Sequence, residues 1–368
     1  MAEQCKRLNQ TAHVRKHRFL MGSGIRTTSV APLPLSTQRG TTSRKQVSKN
    51  RIELASPDLY RVSIPTKDTA MNTASLVRLL LLSAIWGASF LFMRIGAPVL
   101  GPSTLILARV GLAALFLLVV AMYLKKALDT PHHWKHYLTL GLFNSALPFL
   151  LFAYAAQTVS ASLLSILNAT APIWAAVIGA IWLRTSLSPK VLMGMFLGVV
   201  GVALLAKVET LALPSSGVLA IMAGLGAAFS YGIATTYTKS ATTVEPFSNA
   251  HGSMWAATLI LIPFALSAPT ITTMPSLHVT LSVITLGVIC SGVAYLIYFR
   301  LIADLGAASA LTVTFLIPVF GILWGVLFLD EKVGWYTFVG GAMILVGTAL
   351  VTGFKISTVL PKKTQHAS

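Results

Sequence analysis

Charge is scarce in this 368-residue chain: 10% of residues are Asp, Glu, Lys or Arg, and only 10 of them are acidic. A soluble domain carries about 25% charged residues, so that class is excluded. Cysteine is nearly absent too. Cys5 and Cys290 stand far apart, one in a basic leader and one in the apolar run VITLGVICSGVAYLIY, so neither a disulfide framework nor a CxxC knuckle can be built. No HExxH, GxSxG or Walker sequence occurs, which leaves zincin, serine-hydrolase and NTPase chemistry without residues. HHWKH sets His132 and His136 four apart, but a single such cluster is not a metal centre, and no metal or cofactor is expected.

Hydrophobic residues make up 55% of the chain, and mean hydropathy is +0.76. The net charge of +18 splits in half. Residues 1–70 hold 13 Lys+Arg against 4 Asp+Glu, and the remaining 298 residues hold 15 against 6. The basic residues do not gather on a folded surface, so nucleic acid is not an expected partner. Segment 1–70 lacks both apolar periodicity and the apolar core of a secretory signal, and it is expected to be disordered. It reads as a transit peptide, as a basic arm on anionic lipid, or as upstream sequence preceding a start at Met71, where MNTASLVRLLLLSAIWG begins.

From Leu76 onward, apolar runs of bilayer length alternate with short polar, Gly or Pro breaks. Ten spans are predicted: 76–94, 102–124, 136–156, 160–183, 189–207, 216–238, 247–268, 277–300, 306–329 and 334–354, called spans 1 to 10 below. Backbone polar groups in lipid must bond internally, and these runs are too long and uniform for barrel strands, so every span is assigned as a helix. The fold class is all-α, polytopic. Lys125, Lys126 and Lys135 after span 2, Arg184 and Lys190 after span 4, and Lys355, Lys362 and Lys363 in the tail 355–368 fall on one side. The positive-inside rule makes that side cytoplasmic, with both termini. Arg94 and Lys207 run against the trend.

Residues 148–205 superpose on 294–351 at a constant offset of 146, pairing Pro172 with Pro318, Gly179 with Gly325, Gly194 with Gly340 and Gly201 with Gly347. The chain therefore divides into repeats at 76–207 and 216–354 with five spans each. An odd number forces the second copy to enter the bilayer from the opposite face, and the equivalent turns RTSLSPK and DEKV carry opposite charge. Inverted five-helix halves with a site near the midplane are an architecture of secondary transporters.

Candidate site residues follow from that symmetry. Ser165, Asn168 and Pro172 recur on one face of span 4, and Thr314 and Pro318 answer them in span 9. A proline frees a carbonyl one turn back, which lipid tolerates only beside other helices or a wet cavity. Asn168, Thr314 and Ser165 are the expected polar contacts, and Pro172 and Pro318 the expected helix distortions. Trp86, Phe90, Tyr154, Tyr231 and Tyr295 are the expected aromatic wall, with Trp86, Phe90 and Arg94 on one face of span 1. Arg109 inside span 2 and Glu331 at the end of span 9 are the charged candidates, because ionisable groups in a membrane face a partner or a pathway. GMFLG in span 5 offers Gly194 and Gly198 for close packing, within the chain or across a homodimer.

IWGASF, LARVGLAALFLL, YAAQTVSASLLSILNATAPIW and FLIPVFGILWGVLFLDEKV resemble the recurring patterns of EamA-type members of the drug/metabolite transporter superfamily. The resemblance covers residues 76–354. It implies ten helices in two inverted repeats and export or exchange of a small metabolite or drug across a bacterial inner (plasma) membrane. The family's glutamate closing the Pro-containing helix falls on Glu331 in the second half and on Thr185 in the first, a departure from the pattern. The expectation is a carrier working by alternating access, and not an enzyme. A membrane-integral enzyme using HHWKH or Ser165 with His251, and a non-transporting receptor or scaffold, are the alternatives.

Overall fold

The computed structural model describes residues 73–353, apart from 129, 213–215, 242–243, 269–273, 307–309 and 311. The expectations for segment 1–70 and for the tail 355–368 lie outside the described residues.

The described chain is helical throughout. Span 1 is Thr73–Leu100, and span 2 is Pro102–Tyr123. Span 3 joins Thr130–Leu140, a π-helical segment Gly141–Ala146, and Leu147–Ala155. Span 4 is Ala161–Asn168 followed by Ala171–Leu183, and span 5 is Pro189–Ala212. The second half repeats the order. Spans 6 and 7 are Ser216–Ser240 and Pro246–Leu266, and span 8 joins Leu277–Ile284, a π-helical segment Thr285–Val293, and Ala294–Leu305. Spans 9 and 10 are Val313–Leu329 and Trp335–Thr352.

Among the described residues, eight of the ten predicted spans are long and apolar enough to cross a membrane, and span 9 is a shorter apolar helix. Span 7 interleaves Asn249, His251 and Ser253 with its apolar residues. It tolerates them because His251 and Ser253 are buried against other helices rather than lipid. Span 3 also begins earlier than the predicted 136, so that the whole of HHWKH lies within it. These residues form the opening turns of span 3, where His136 is bonded by Tyr237 Oη (3.1 Å) and Asn249 Oδ1 (2.8 Å).

The inverted repeat is visible in the packing. Gly194 of span 5 meets the Gly347 carbonyl of span 10, and Gly201 meets the Gly340 carbonyl. The residue numbers rise along one helix and fall along the other, so equivalent helices run antiparallel, and the repeat exchanges the two contacts. Gly87 of span 1 lies on Phe320 and Gly321 of span 9, just as Gly232 of span 6 lies on Trp174 and Ala175 of span 4. Gly287 of span 8 abuts the Arg109 carbonyl and Leu112 of span 2, just as Gly141 of span 3 abuts the Ser253 carbonyl and Ala256 of span 7. Even backbone strain repeats: Arg184 and Asp330, 146 residues apart, both end a helix in the left-handed region at φ 51°. Glycine allows these approaches because backbones meet where a Cβ would stand. The glycine face of span 5 is thus used within the chain.

Candidate functional site

The two halves meet over a buried polar and aromatic cluster drawn from spans 1, 2, 3, 6 and 8. Arg109 is its charge. Burial on a span near the middle of the bundle leaves the residue 4% exposed, so it does not snorkel toward an interface. Its Nε donates to Ser291 Oγ (2.9 Å), its Nη1 to Met93 Sδ (3.6 Å), and its guanidinium carbon lies 3.6 Å from the centre of the Phe149 ring. Tyr231, Cys290 and Tyr295 are close enough to feel its charge.

The π-helical segments explain how the partners reach it. An i to i+5 turn widens the helix by one residue and turns its neighbours into the bundle. In span 8 this brings Ser291 to Arg109, and the Ser291 hydroxyl in turn donates to the Leu286 carbonyl five residues back (3.1 Å). In span 3 it presents Asn144, whose amide donates to Tyr295 Oη (3.3 Å). Rings continue the wall: Trp86 lies 6.4 Å from Tyr295, Phe90 lies 5.4 Å edge-on to Phe152, and Phe152 lies 6.3 Å from Tyr231.

The cluster is not two-fold symmetric. Ser145 is the counterpart of Ser291, but its hydroxyl is buried with no partner among the described residues. The contacts of Gly141 and Gly287 make Ser253 the counterpart of Arg109, and Ser253 turns its hydroxyl back to the Ala250 carbonyl (3.0 Å). One half supplies a cation, and the other leaves a hydroxyl empty-handed.

Of the expected wall, Trp86, Phe90, Tyr231 and Tyr295 come together here, and Tyr154 does not. Phe152 points inward from span 3, so Tyr154 two residues on is turned to the outside, 39% exposed. Ser165 is fully buried, bonds the Ser162 carbonyl (2.7 Å) and packs against Gly321 of span 9, which makes it a packing residue. Asn168 is half-buried at the end of the first segment of span 4, with no hydrogen bond from its amide among the described residues. Thr314 is half-buried in the first turn of span 9. Pro172 does coincide with a distortion, since span 4 breaks at Ala169–Thr170 just before it. Pro318 lies inside Val313–Leu329, which is not broken there. Ser165 and His251 share no hydrogen bond, and the His251 Nε2 accepts from Trp255 (3.0 Å).

Glu331 and Arg94 work at the end of the bundle opposite the basic loops. The Glu331 carboxylate accepts from Ala161 N (2.6 Å), Ser162 N (3.1 Å) and Ser162 Oγ (2.5 Å), capping span 4 of the other half. Arg94 Nη1 donates to the Ala156 and Gln157 carbonyls (2.7 Å each) at the end of span 3. An anion at a helix start and a cation at a helix end both oppose the backbone dipole, so the two charges hold the turn between spans 3 and 4. Arg94, Pro98, Gln157, Thr158, Ser160, Leu329 and Glu331 line a cavity of about 610 Å³ there. At the other end, Lys126 pairs with Glu245, and Arg78 pairs with Asp304 (2.7 Å).

A membrane-spanning bundle of two inverted five-helix halves, with a buried polar cluster where they meet, is the architecture of a membrane transporter. The chain belongs to the EamA-like transporter family, whose model matches residues 74–207 and 218–353. It is 29% identical over 294 residues to an uncharacterized transporter of Archaeoglobus fulgidus, covering 77% of this chain and 98% of that one. It is 24% identical over 276 residues to the uncharacterized transporter YoaV of Bacillus subtilis, covering 73% and 93%. A solved crystal structure shares the fold at a TM-score of 0.54 and 16% identity, over 76% of this chain and 96% of that one.

Proposed function

We propose that this chain exports a small metabolite or drug across the plasma (inner) membrane by alternating access, with both termini cytoplasmic. The observation that carries the reading is the exchange of contacts between halves around one buried cluster. A pathway at such a meeting point opens to either side when one half tilts against the other. Orientation is supported by the basic loops, since Lys125, Lys126, Lys135, Arg184 and Lys190 all lie at one end. The half-buried Asn168 and Thr314, at equivalent helix pairs, are proposed as polar contacts along the path.

The test begins with metabolite profiling of cells and medium with and without the gene, followed by flux of the leading solute in reconstituted vesicles. Asn168→Val and Thr314→Val are expected to slow that flux by about tenfold at unchanged membrane abundance, the loss of one or two polar contacts. Unchanged flux in both would remove these residues from the path, and absence of any solute difference would remove the transport reading.

A further inference from the structure

Arg109 is a buried cation with no buried anion beside it among the described residues. The described carboxylates are engaged elsewhere or lie at helix ends: Glu245 pairs with Lys126, Asp304 with Arg78 and Arg300, Glu331 caps span 4, and Asp330 ends span 9 at the surface. None of the ion pairs among the described residues reaches Arg109. Isolating a charge in the bilayer interior costs several kcal/mol, and burial of one without its partner is among the most destabilising arrangements known. Neutral neighbours offset only part of this. A guanidinium has five N–H donors, and the two bonds to Ser291 and Met93, one of them to a weak sulfur acceptor, leave three without an acceptor among the described residues.

We infer that Arg109 is the anchor for the carboxylate of an organic anion with an apolar or aromatic body. The inference rests on the transporter reading and names its substrate class. The planar guanidinium fork matches a carboxylate in a paired geometry. The Phe149 ring under its face fixes the plane of that fork, at 3.6 Å. Trp86, Phe90, Tyr231 and Tyr295, which stand around the cluster as a ring-lined wall, receive the body of the solute. Asn144 holds Tyr295 by its hydroxyl, so that ring is oriented before the solute arrives. No acidic side chain among the described residues joins the cluster, so none of these residues offers a carboxylate to an ammonium group. The site selects a monoanion over an amine or a zwitterion. The cation occurs in one half only, Ser253 taking its place in the other, so the solute binds in one orientation relative to the pseudo-two-fold axis.

The test uses the purified full chain and three probes that share a phenyl body: phenylacetate, 2-phenylethanol and phenylethylamine. At neutral pH, calorimetry is expected to show phenylacetate binding at least about tenfold more tightly than the other two, the ratio given by one charge-assisted pair. Arg109→Gln is expected to erase that preference, and Ser291→Ala, which releases Nε, to weaken phenylacetate alone. Equal or tighter binding of the alcohol or amine overturns the inference, as does no binding of any probe, or a folded Arg109→Gln protein that keeps the preference. Should Arg109→Gln not fold, Arg109→Lys replaces it: the charge stays, the fork goes, and an unchanged phenylacetate affinity refutes the paired geometry. Counterflow of labelled phenylacetate in vesicles separates the two readings. Arg109-dependent binding without counterflow leaves the anion site standing and removes transport, whereas counterflow of a neutral or cationic probe does the reverse.

Discussion

Replacing Glu331 with alanine is expected to unfasten the two halves at one end of the bundle. The carboxylate satisfies the Ala161 and Ser162 amides and the Ser162 hydroxyl from a helix of the other repeat. Loss of an N-cap costs about 0.5–2 kcal/mol, and hydrogen bonds to a charged group are worth about 1.5–3 kcal/mol each when buried. Glu331 is only half-buried, so water replaces part of what is lost. A cost of about 2–3 kcal/mol follows for Glu331→Ala. For a domain of this size each kcal/mol moves Tm by roughly 2–4 °C, giving a drop of about 4–12 °C. Glu331→Gln keeps one acceptor oxygen and is expected to fall about midway. The assay is tryptophan-fluorescence melting of the purified protein in one detergent at one scan rate, with no solute added. A Glu331→Ala protein melting within about 1 °C of the parent, below the spread such caps produce, would refute the reasoning.

Two further outcomes test the packing and the basic end. A Cβ on Gly141 would stand 2.6 Å from the Ala256 Cβ and 2.9 Å from the Ala257 nitrogen, and one on Gly287 would stand 2.7 Å from the Leu112 Cβ and 3.0 Å from the Arg109 carbonyl. Backbone cannot step aside cheaply, so Gly141→Ala and Gly287→Ala are each expected to lower stability by about 1–3 kcal/mol, read as Tm. At the basic end, slight burial raises the Glu245 pKa, but hydrogen bonds from Lys126 and Ser248 outweigh it and leave it lowered. A lowered carboxylate pKa contributes stability above its unfolded value and loses it as pH falls through the folded value. The Tm difference between the parent and Lys126→Ala is therefore expected to be present at neutral pH and to vanish in acid below the carboxylate range. Both partners are about half exposed, so the difference corresponds to about 0.2–1 kcal/mol and shrinks in salt.

The spans, the repeat and the odd-number inversion were legible because hydrophobic length and proline or glycine register are carried by single residues in known order. The π-helical segments were not, since an i to i+5 turn leaves no periodic mark in side-chain hydrophobicity. A trace existed all the same: extending the offset of 146 upstream pairs Gly141 with Gly287 and Ser145 with Ser291, the residues that frame the central cluster. Arg109 was recognisable as out of place in lipid, but its neighbours Ser291, Met93 and Phe149 lie on three other spans and in no shared motif. Tyr154 and Ser165 show the limit of reading one face at a time. Each helix here packs against several others, and which neighbour claims a side chain depends on tertiary placement rather than spacing.

The glycine contacts of spans 5 and 10 carry a consequence for motion. Each of these helices closes its repeat, and each lies against its twin with carbonyl against glycine and no side chain between. In a rocking movement, displacement grows with distance from the axis, so atoms beside the axis hardly shift, while those on the far wall travel most. Backbones in direct contact have no slack for sliding, so under the proposed alternating access this seam would be the natural fulcrum and the other four helices of each half the lever. Connections to the lever run through Arg184 and Asp330, the two non-glycine residues already twisted into the left-handed region at equivalent places. A hinge there would begin each stroke partly wound.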